Sequence, residues 1–228
     1  MTKDWTGNKV SYITTNGFAN NRDYERETND YYATEPKAVE MLLELEDFTK
    51  LHVWECACGE GHLSKAMQNK GITVYSSDLI NRGFGNQYDF LSADNKEWKG
   101  HIITNPPYKY AKEFIEKALD IIPEGCLVAM FLPIRYTEGK ARKKLFEAHP
   151  PKTVYISSSR LKCAINGTFD QMKGSATSYA WFVWQKGFNG TTELNGLIKN
   201  FKQECQSENV SKALRITRRL AQLSHAKC

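Results

Sequence analysis

The 228-residue chain contains no run of about 18 apolar residues, and its N-terminal Met1-Thr2-Lys3-Asp4-Trp5 has no apolar stretch of the kind a signal peptide needs. A soluble, cytoplasmic protein without membrane contact is expected. No internal repeat or low-complexity tract stands out. The six cysteines, Cys56, Cys58, Cys126, Cys163, Cys205 and Cys228, form no Cys-x-x-Cys pair. The tightest spacing, Cys56-Ala57-Cys58, has no His or Cys cluster beside it to complete a zinc site, so no metal is expected and the thiols read as reduced. What the chain does have, 41% hydrophobic and 25% charged residues, suffices for one sizeable core and not for two. Its net charge of +5 includes basic clusters at Lys140-Ala141-Arg142-Lys143-Lys144 and at Arg215, Arg218 and Arg219. Such clusters are ordinarily solvated helix faces, and in a nucleic-acid enzyme they become phosphate contacts.

One further absence is informative. Leu51 to Cys56 reads as a strand that runs into Gly59-Glu60-Gly61 and then into a helical pattern carrying Leu63, Ala66 and Met67. Glycines there permit a tight turn and let a ligand lie against bare backbone at a helix N-terminus. The third Gly or Ala of the dinucleotide fingerprint is missing, because Ser64 occupies that position, and this counts against a nicotinamide enzyme. The next strand, Ile72 to Ser77, ends in Asp78, whose carboxylate suits ribose hydroxyls; the competing reading is a turn or helix-capping Asp before Leu79-Ile80-Asn81. A third strand end at Gln87 to Leu91 brings Asp89 and Phe90, able to accept from an exocyclic amine and to flank an adenine ring. By themselves they equally describe a turn Asp beside a core Phe.

The fourth strand end carries the most specific chemistry. The apolar run His101-Ile102-Ile103-Thr104 delivers Asn105-Pro106-Pro107-Tyr108. Two prolines fix φ and remove backbone donors, so the turn presents the Asn amide oxygen and a backbone carbonyl, two acceptors for one NH2 group, beside the flat face of Tyr108. It looks like the amino-methylation signature of S-adenosylmethionine-dependent enzymes that modify a planar nitrogen. Glycine turn, acid, Asp-Phe pair and Asn-Pro-Pro-Tyr stand at successive strand ends, where open α/β sheets bind ligands.

Together these motifs resemble the Rossmann-like S-adenosylmethionine-dependent N6-adenine DNA methyltransferases, in particular the short enzymes encoded by phages and mobile elements. The resemblance covers roughly residues 30–187 with the glycine turn preceding Asn105, the so-called gamma order. It implies a mostly parallel seven-stranded sheet, the last strand antiparallel, with helices on both faces. It implies S-adenosylmethionine as cofactor, held by Tyr32, Thr34, Pro36, Glu55, Ala57, Cys58, Gly59, Gly61, Asp78, Leu79, Asp89, Phe90 and Asn105. Catalysis would fall to Asn105, Pro106, Pro107 and Tyr108. The family places Pro directly after Thr, whereas Glu35 separates Thr34 from Pro36 here. DNA is the expected partner, with base extrusion. RNA base amino methylation, protein-glutamine methylation and a non-enzymatic nucleic-acid-binding module stay open as alternatives, as does assembly into a homodimer or with a partner protein.

The remaining pattern divides the chain into a polar N-terminal arm (1–29), a catalytic domain (30–190) and a basic helical extension (191–228). Helical spacing predicts helices over Ala38–Phe48, Lys112–Ile122 and Arg142–His149. Strands are predicted over Cys126–Leu132, stopped by Pro133, and over Thr153–Ile156 and Ser178–Trp184, with Trp181 and Trp184 in the core. This alternation is that of an α/β fold with a mostly parallel sheet. The polar stretch from Ser157 to Thr177 is either a target-strand contact or a plain connector. The C-terminal segment from Leu197 to Cys228, basic at Lys212, Arg215, Arg218 and Arg219, could bind phosphates, form a dimer arm or dock on the domain.

Overall fold

A strand covered on both faces has no need of a polar side, and Leu127–Pro133 is buried at every position. In the computed structural model, which describes residues 33–94, 97–157, 161, 163–164 and 177–197, this strand lies inside an eight-stranded sheet. In chain order the strands are β1 (Ala33–Thr34), β2 (His52–Glu55), β3 (Val74–Asp78), β4 (Asn86–Gln87), β5 (Gly100–Thr104), β6 (Leu127–Pro133), β7 (Thr153–Ser157), β8 (Cys163–Ala164), β9 (Tyr179–Gln185) and β10 (Glu193–Leu197). The large sheet runs β10-β7-β9-β6-β5-β2-β3-β4. Only β9 runs against its neighbours, pairing antiparallel with both β6 and β7. The other two strands, β1 and β8, form a small antiparallel ladder of their own.

Helices α1 (Pro36–Leu43), α2 (His62–Asn69), α3 (Ala111–Ile121) and α4 (Lys140–Ala148) cover the sheet. The side-chain alternation of β6 explains both layers at once. Val128, Met130 and Leu132 join a core with Phe114, Ile115, Ala118 and Leu119 of α3 and Leu145 of α4. Ala129 and Phe131 join a second core with Val39 and Leu42 of α1 and Leu63 and Met67 of α2. Trp181 and Trp184 are fully enclosed, and their indole N–H groups donate to the backbone carbonyls of Ala38 (2.8 Å) and His149 (2.9 Å). Each such aromatic contributes up to about 3 kcal/mol by burial, and the satisfied N–H avoids the cost of an orphaned donor.

Three expectations need correction. The sheet has eight strands, not seven, and residues 193–197, assigned by sequence to a helical extension, form β10 in parallel register with β7 from Glu193–Thr153 to Leu197–Ser157. Glu-Leu-Asn-Gly carries no apolar alternation and its side chains are exposed, so this edge strand is held by its backbone pairing and leaves no sequence signal. The helix expected over Ala38–Phe48 ends at Leu43. There the N–H groups of Leu45 and Glu46 both turn back to the Leu42 carbonyl, and Asp47 caps the Thr49 N–H at 2.9 Å. The turn places Phe48 in the core, edge-on to His101 at 5.4 Å. The arm 1–29, most of the stretch 157–177 and the extension beyond Leu197 lie outside the described residues. None of the described helices is long and apolar enough to cross a membrane.

Candidate active site

Because β3, β2 and β5 are adjacent and parallel, their C-terminal ends emerge at one edge of the sheet. That edge is where a ligand meets strand-end residues and the loops beyond them. A cleft of about 850 Å³ opens there. Glu55, Ala57 and Cys58 line it from the end of β2, Asp78 and Leu79 from the end of β3, and Asp89 and Phe90 from the loop after β4. Thr34 and the whole run Asn105, Pro106, Pro107 and Tyr108 complete the wall. Pro36, Gly59 and Gly61 of the expected set are not part of the lining, and Tyr32 lies outside the described residues. Pro36 opens α1, where its missing N–H costs nothing.

The glycine turn is tied to the end of β3 through its backbone. The Gly59 N–H donates to Asp78 Oδ2 at 2.8 Å, and the Ile80 N–H donates to Oδ1 of the same carboxylate at 3.0 Å. Asp78 is thereby fastened directly to the turn. Gly61 adopts φ of 81° at the N-terminus of α2, and the Phe84 ring occupies the space a side chain would need. Gly61→Ala is expected to cost about 1–2 kcal/mol from the left-handed backbone alone, a fall of roughly 2–8 °C in Tm for a chain of this size, and more from the overlap with Phe84. Thermal unfolding of Gly61→Ala beside the Gly61→Ala/Phe84→Ala double variant checks this; a double variant no better than the single one would exclude the ring as the cause.

Below the turn, Glu55 is 2% exposed. Ser64 Oγ donates to Glu55 Oε2 and lies 2.6 Å from Ser76 Oγ. Burial pushes the Glu55 carboxyl up to about 8, against the opposing Ser64 hydrogen bonds and with the Asp78 charge adding to the rise, so it is mostly protonated at neutral pH. The cleft therefore carries Asp78, held by two backbone N–H groups, above a neutral acid.

At the other end the two prolines shape the approach to α3. Pro107 sits at φ −60° and ψ 119°, and its carbonyl accepts the Tyr110 N–H at 2.9 Å, starting a short 3-10 turn over Tyr108–Tyr110. Asn105 Nδ2 donates to Thr34 Oγ1 at 2.8 Å. The Tyr108 hydroxyl is 4.0 Å from Cys163 Sγ, and its ring centroid is 6.2 Å from that of Tyr179. Burial raises the Tyr108 phenol well above its ordinary value, so it stays neutral. The β1–β8 ladder, pairing Thr34 with Cys163, thus roofs the turn.

Several lining residues were not found from sequence. Lys109 and Tyr110 follow the motif directly, and Arg135 follows the end of β6 at the same sheet edge. Extending the strand-end rule from β5 to β6 would have found Arg135. Cys163, which lies behind Thr34 and Tyr108 and not in the lining, had no signal, being part of a two-residue strand. The basic run 140–144 proves partly structural: Arg142 donates to the carbonyls of Arg135 (3.2 Å) and Glu138 (2.8 Å) and lies 4.5 Å from the Tyr136 ring centroid, while Lys143 pairs with Glu147 at 3.6 Å. The four described cysteines, Cys56, Cys58, Cys126 and Cys163, are buried free thiols.

No protein-family model and no curated protein matches the sequence. Among solved structures the chain is similar to a candidate class I S-adenosylmethionine-dependent methyltransferase from Listeria monocytogenes, with a TM-score of 0.50 and 11% identity over 84% of this chain and 73% of that one. It is also similar to a chain of a type I R-M system, with a TM-score of 0.51 and 16% identity over 82% of this chain and 47% of that one, less than half the neighbour's length. At such identities the likeness is one of fold. The chain has the Rossmann-like fold of class I methyltransferases.

Proposed function

We propose that this protein transfers a methyl group from S-adenosylmethionine to the exocyclic N6 amino group of adenine in DNA. The observation that carries the reading is the placement of Asn105-Pro106-Pro107-Tyr108 and Asp78 on opposite sides of one cleft, at the ends of β5 and β3 with β2 between them. The residues fit the cofactor. Asp78 is held by two backbone N–H groups at 2.8 and 3.0 Å and retains acceptor capacity for a ribose diol. Leu79, 61% exposed and lining the cleft, offers an apolar surface to a purine, with Phe90 and Asp89 on the same wall. Glu55, Ala57 and Cys58 form the floor.

The bound cofactor supplies an electrophilic sulfonium methyl; the remaining work belongs to the chain. An adenine amino group is a poor nucleophile because its lone pair is delocalised into the ring. Asn105 Oδ1 and the Pro106 carbonyl accept its two hydrogens, which favours the tetrahedral nitrogen whose lone pair is available. The Pro107 carbonyl accepts the Tyr110 N–H, and this reading takes Asn105 and Pro106 as the acceptor pair. Tyr108 packs against the extruded ring. Positioning and preorganised acceptors of this kind lower a barrier by several kcal/mol without a covalent intermediate.

Charge along the cleft supports a nucleic acid over a protein amide. Asp78 and Asp89 line the cofactor end together with Arg82, whereas the catalytic turn has only cations beside it, Lys109 and Arg135, with no carboxylate at ion-pair distance among the described residues. Labelled methyl transfer should appear in N6-methyladenine when unmethylated duplex DNA is the acceptor. Label confined to transfer RNA or to a protein extract would overturn the DNA assignment. A Lys109→Ala/Arg135→Ala variant should weaken DNA binding and reduce the slope of log affinity against log salt by about 2, one for each phosphate no longer neutralised, with cofactor affinity unchanged. An unaltered slope in a binding titration from 50 to 200 mM salt would remove these two residues from the interface.

A further inference from the structure

We propose that Thr34 is a positioning residue that fixes which end of the Asn105 amide faces the substrate, an inference that rests on the methyl-transfer reading above. The two ends of an asparagine amide are nearly the same size and opposite in function, one an acceptor and the other a double donor. Which end points where is decided by hydrogen-bond partners. Here the nitrogen is bound to Thr34 Oγ1 at 2.8 Å, across 71 residues of sequence, and Thr34 is itself 3% exposed. A hydroxyl can donate as well as accept, and the discrimination comes from Cys163 Sγ, 4.0 Å from Thr34 Oγ1, taking the hydroxyl proton and leaving an acceptor toward Asn105; a half-turn of the amide would then set oxygen against oxygen and present NH2 donors to a substrate NH2.

Thr34 is held in turn. Its backbone is paired with Cys163 in the β1–β8 ladder, and its hydroxyl lies 4.0 Å from Cys163 Sγ. Burial pushes that thiol up to about 11, so it stays protonated and uncharged. The same sulfur is 4.0 Å from the Tyr108 hydroxyl. One short ladder therefore contacts both functional side chains of the turn, the amide through Thr34 and the aromatic residue through Cys163. In this arrangement the Thr34 hydroxyl serves the reaction through Asn105 and not through the cofactor.

Thr34→Val keeps the shape and removes the acceptor, and Thr34→Ser keeps the hydroxyl. The expected result is a fall of about tenfold or more in kcat for Thr34→Val, with the calorimetric Kd for S-adenosylmethionine within about twofold of the parent, and recovery of most of the turnover in Thr34→Ser. Side-chain amide NMR with labelled asparagine, assigned by loss of the signal in Asn105→Asp, gives a readout that needs no reaction. The Asn105 NH2 should be protected from exchange in the parent and in Thr34→Ser, and unprotected in Thr34→Val. A parent without protection overturns the inference whether or not methyl transfer occurs. An unchanged kcat in Thr34→Val overturns it with the methyl-transfer reading intact, and so does a loss confined to cofactor affinity, which would make Thr34 a cofactor contact. A parent that methylates neither nucleic acid nor protein amide defeats the functional reading itself, and the NMR protection pattern then decides whether Thr34 orients the amide.

Discussion

Replacing Asn105 with Ala should lower turnover by about two to three orders of magnitude while the dissociation constant for S-adenosylmethionine changes by no more than a few-fold. That size is typical of removing one preorganised hydrogen-bonding group that acts on charge developing in the transition state. The separation of the two parameters follows from position. Asn105 stands at the end of β5 beside Pro106 and Tyr108, whereas the fixed carboxylate Asp78 stands at the end of β3, with β2 between the two strands. Asn105→Asp retains an oxygen at the same reach and should keep more of the turnover than Ala. Single-turnover transfer of labelled methyl, read beside calorimetric cofactor binding, measures both quantities. Transfer within tenfold of the parent in Asn105→Ala would remove the amide from the chemistry.

The opposite pattern is expected at Asp78. Asp78→Asn preserves volume but replaces one of the two carboxylate oxygens, each of which now accepts a backbone N–H from Gly59 or Ile80. It also removes the charge that a ribose diol would donate to. Charge-assisted hydrogen bonds contribute about 1.5–3 kcal/mol each, so cofactor affinity should fall roughly 10- to 150-fold. At saturating cofactor the chemical step should be little changed. Because Asp78 also ties the glycine turn to β3, thermal unfolding must be recorded alongside. A loss of Tm without a loss of affinity would make Asp78 a turn-fastening residue, the reading that its sequence alone also allowed.

The strong elements of this fold were legible because they are buried on both faces or on one periodic face. Leu127–Pro133 announces itself as a continuous apolar run, and α3 as Phe114, Ile115, Ala118 and Leu119 on one side. The strand ends carrying Asp78 and Asn105 were legible for a chemical reason: a carboxylate and a Pro-fixed amide at the ends of apolar runs have few structural uses in that combination. What stayed hidden was held by backbone pairing or long-range packing. Exposed β10 and two-residue β1 and β8 have no periodicity to read. The tight turn at Gly61 was legible, but the Phe84 ring that fills the space a side chain there would need comes from a different loop and left no signal. Likewise, that Arg142 spans the carbonyls of Arg135 and Glu138 is a tertiary fact that a run of basic letters does not contain.

The β1–β8 ladder joins residues 129 apart in sequence with only two pairs of residues. Closing a free loop of that length costs about 4 kcal/mol in chain entropy, more than so short a ladder returns. The ladder can therefore persist only where the large sheet has already brought its two halves together. The ladder over the Asn105–Tyr108 turn is therefore expected to form late in folding and to open first, so that amides at Thr34 and Cys163 exchange before those of β6 and β9 in native-state hydrogen exchange. The integrity of the Asn105–Tyr108 turn and that of the large sheet would then be separate thermodynamic quantities in this chain.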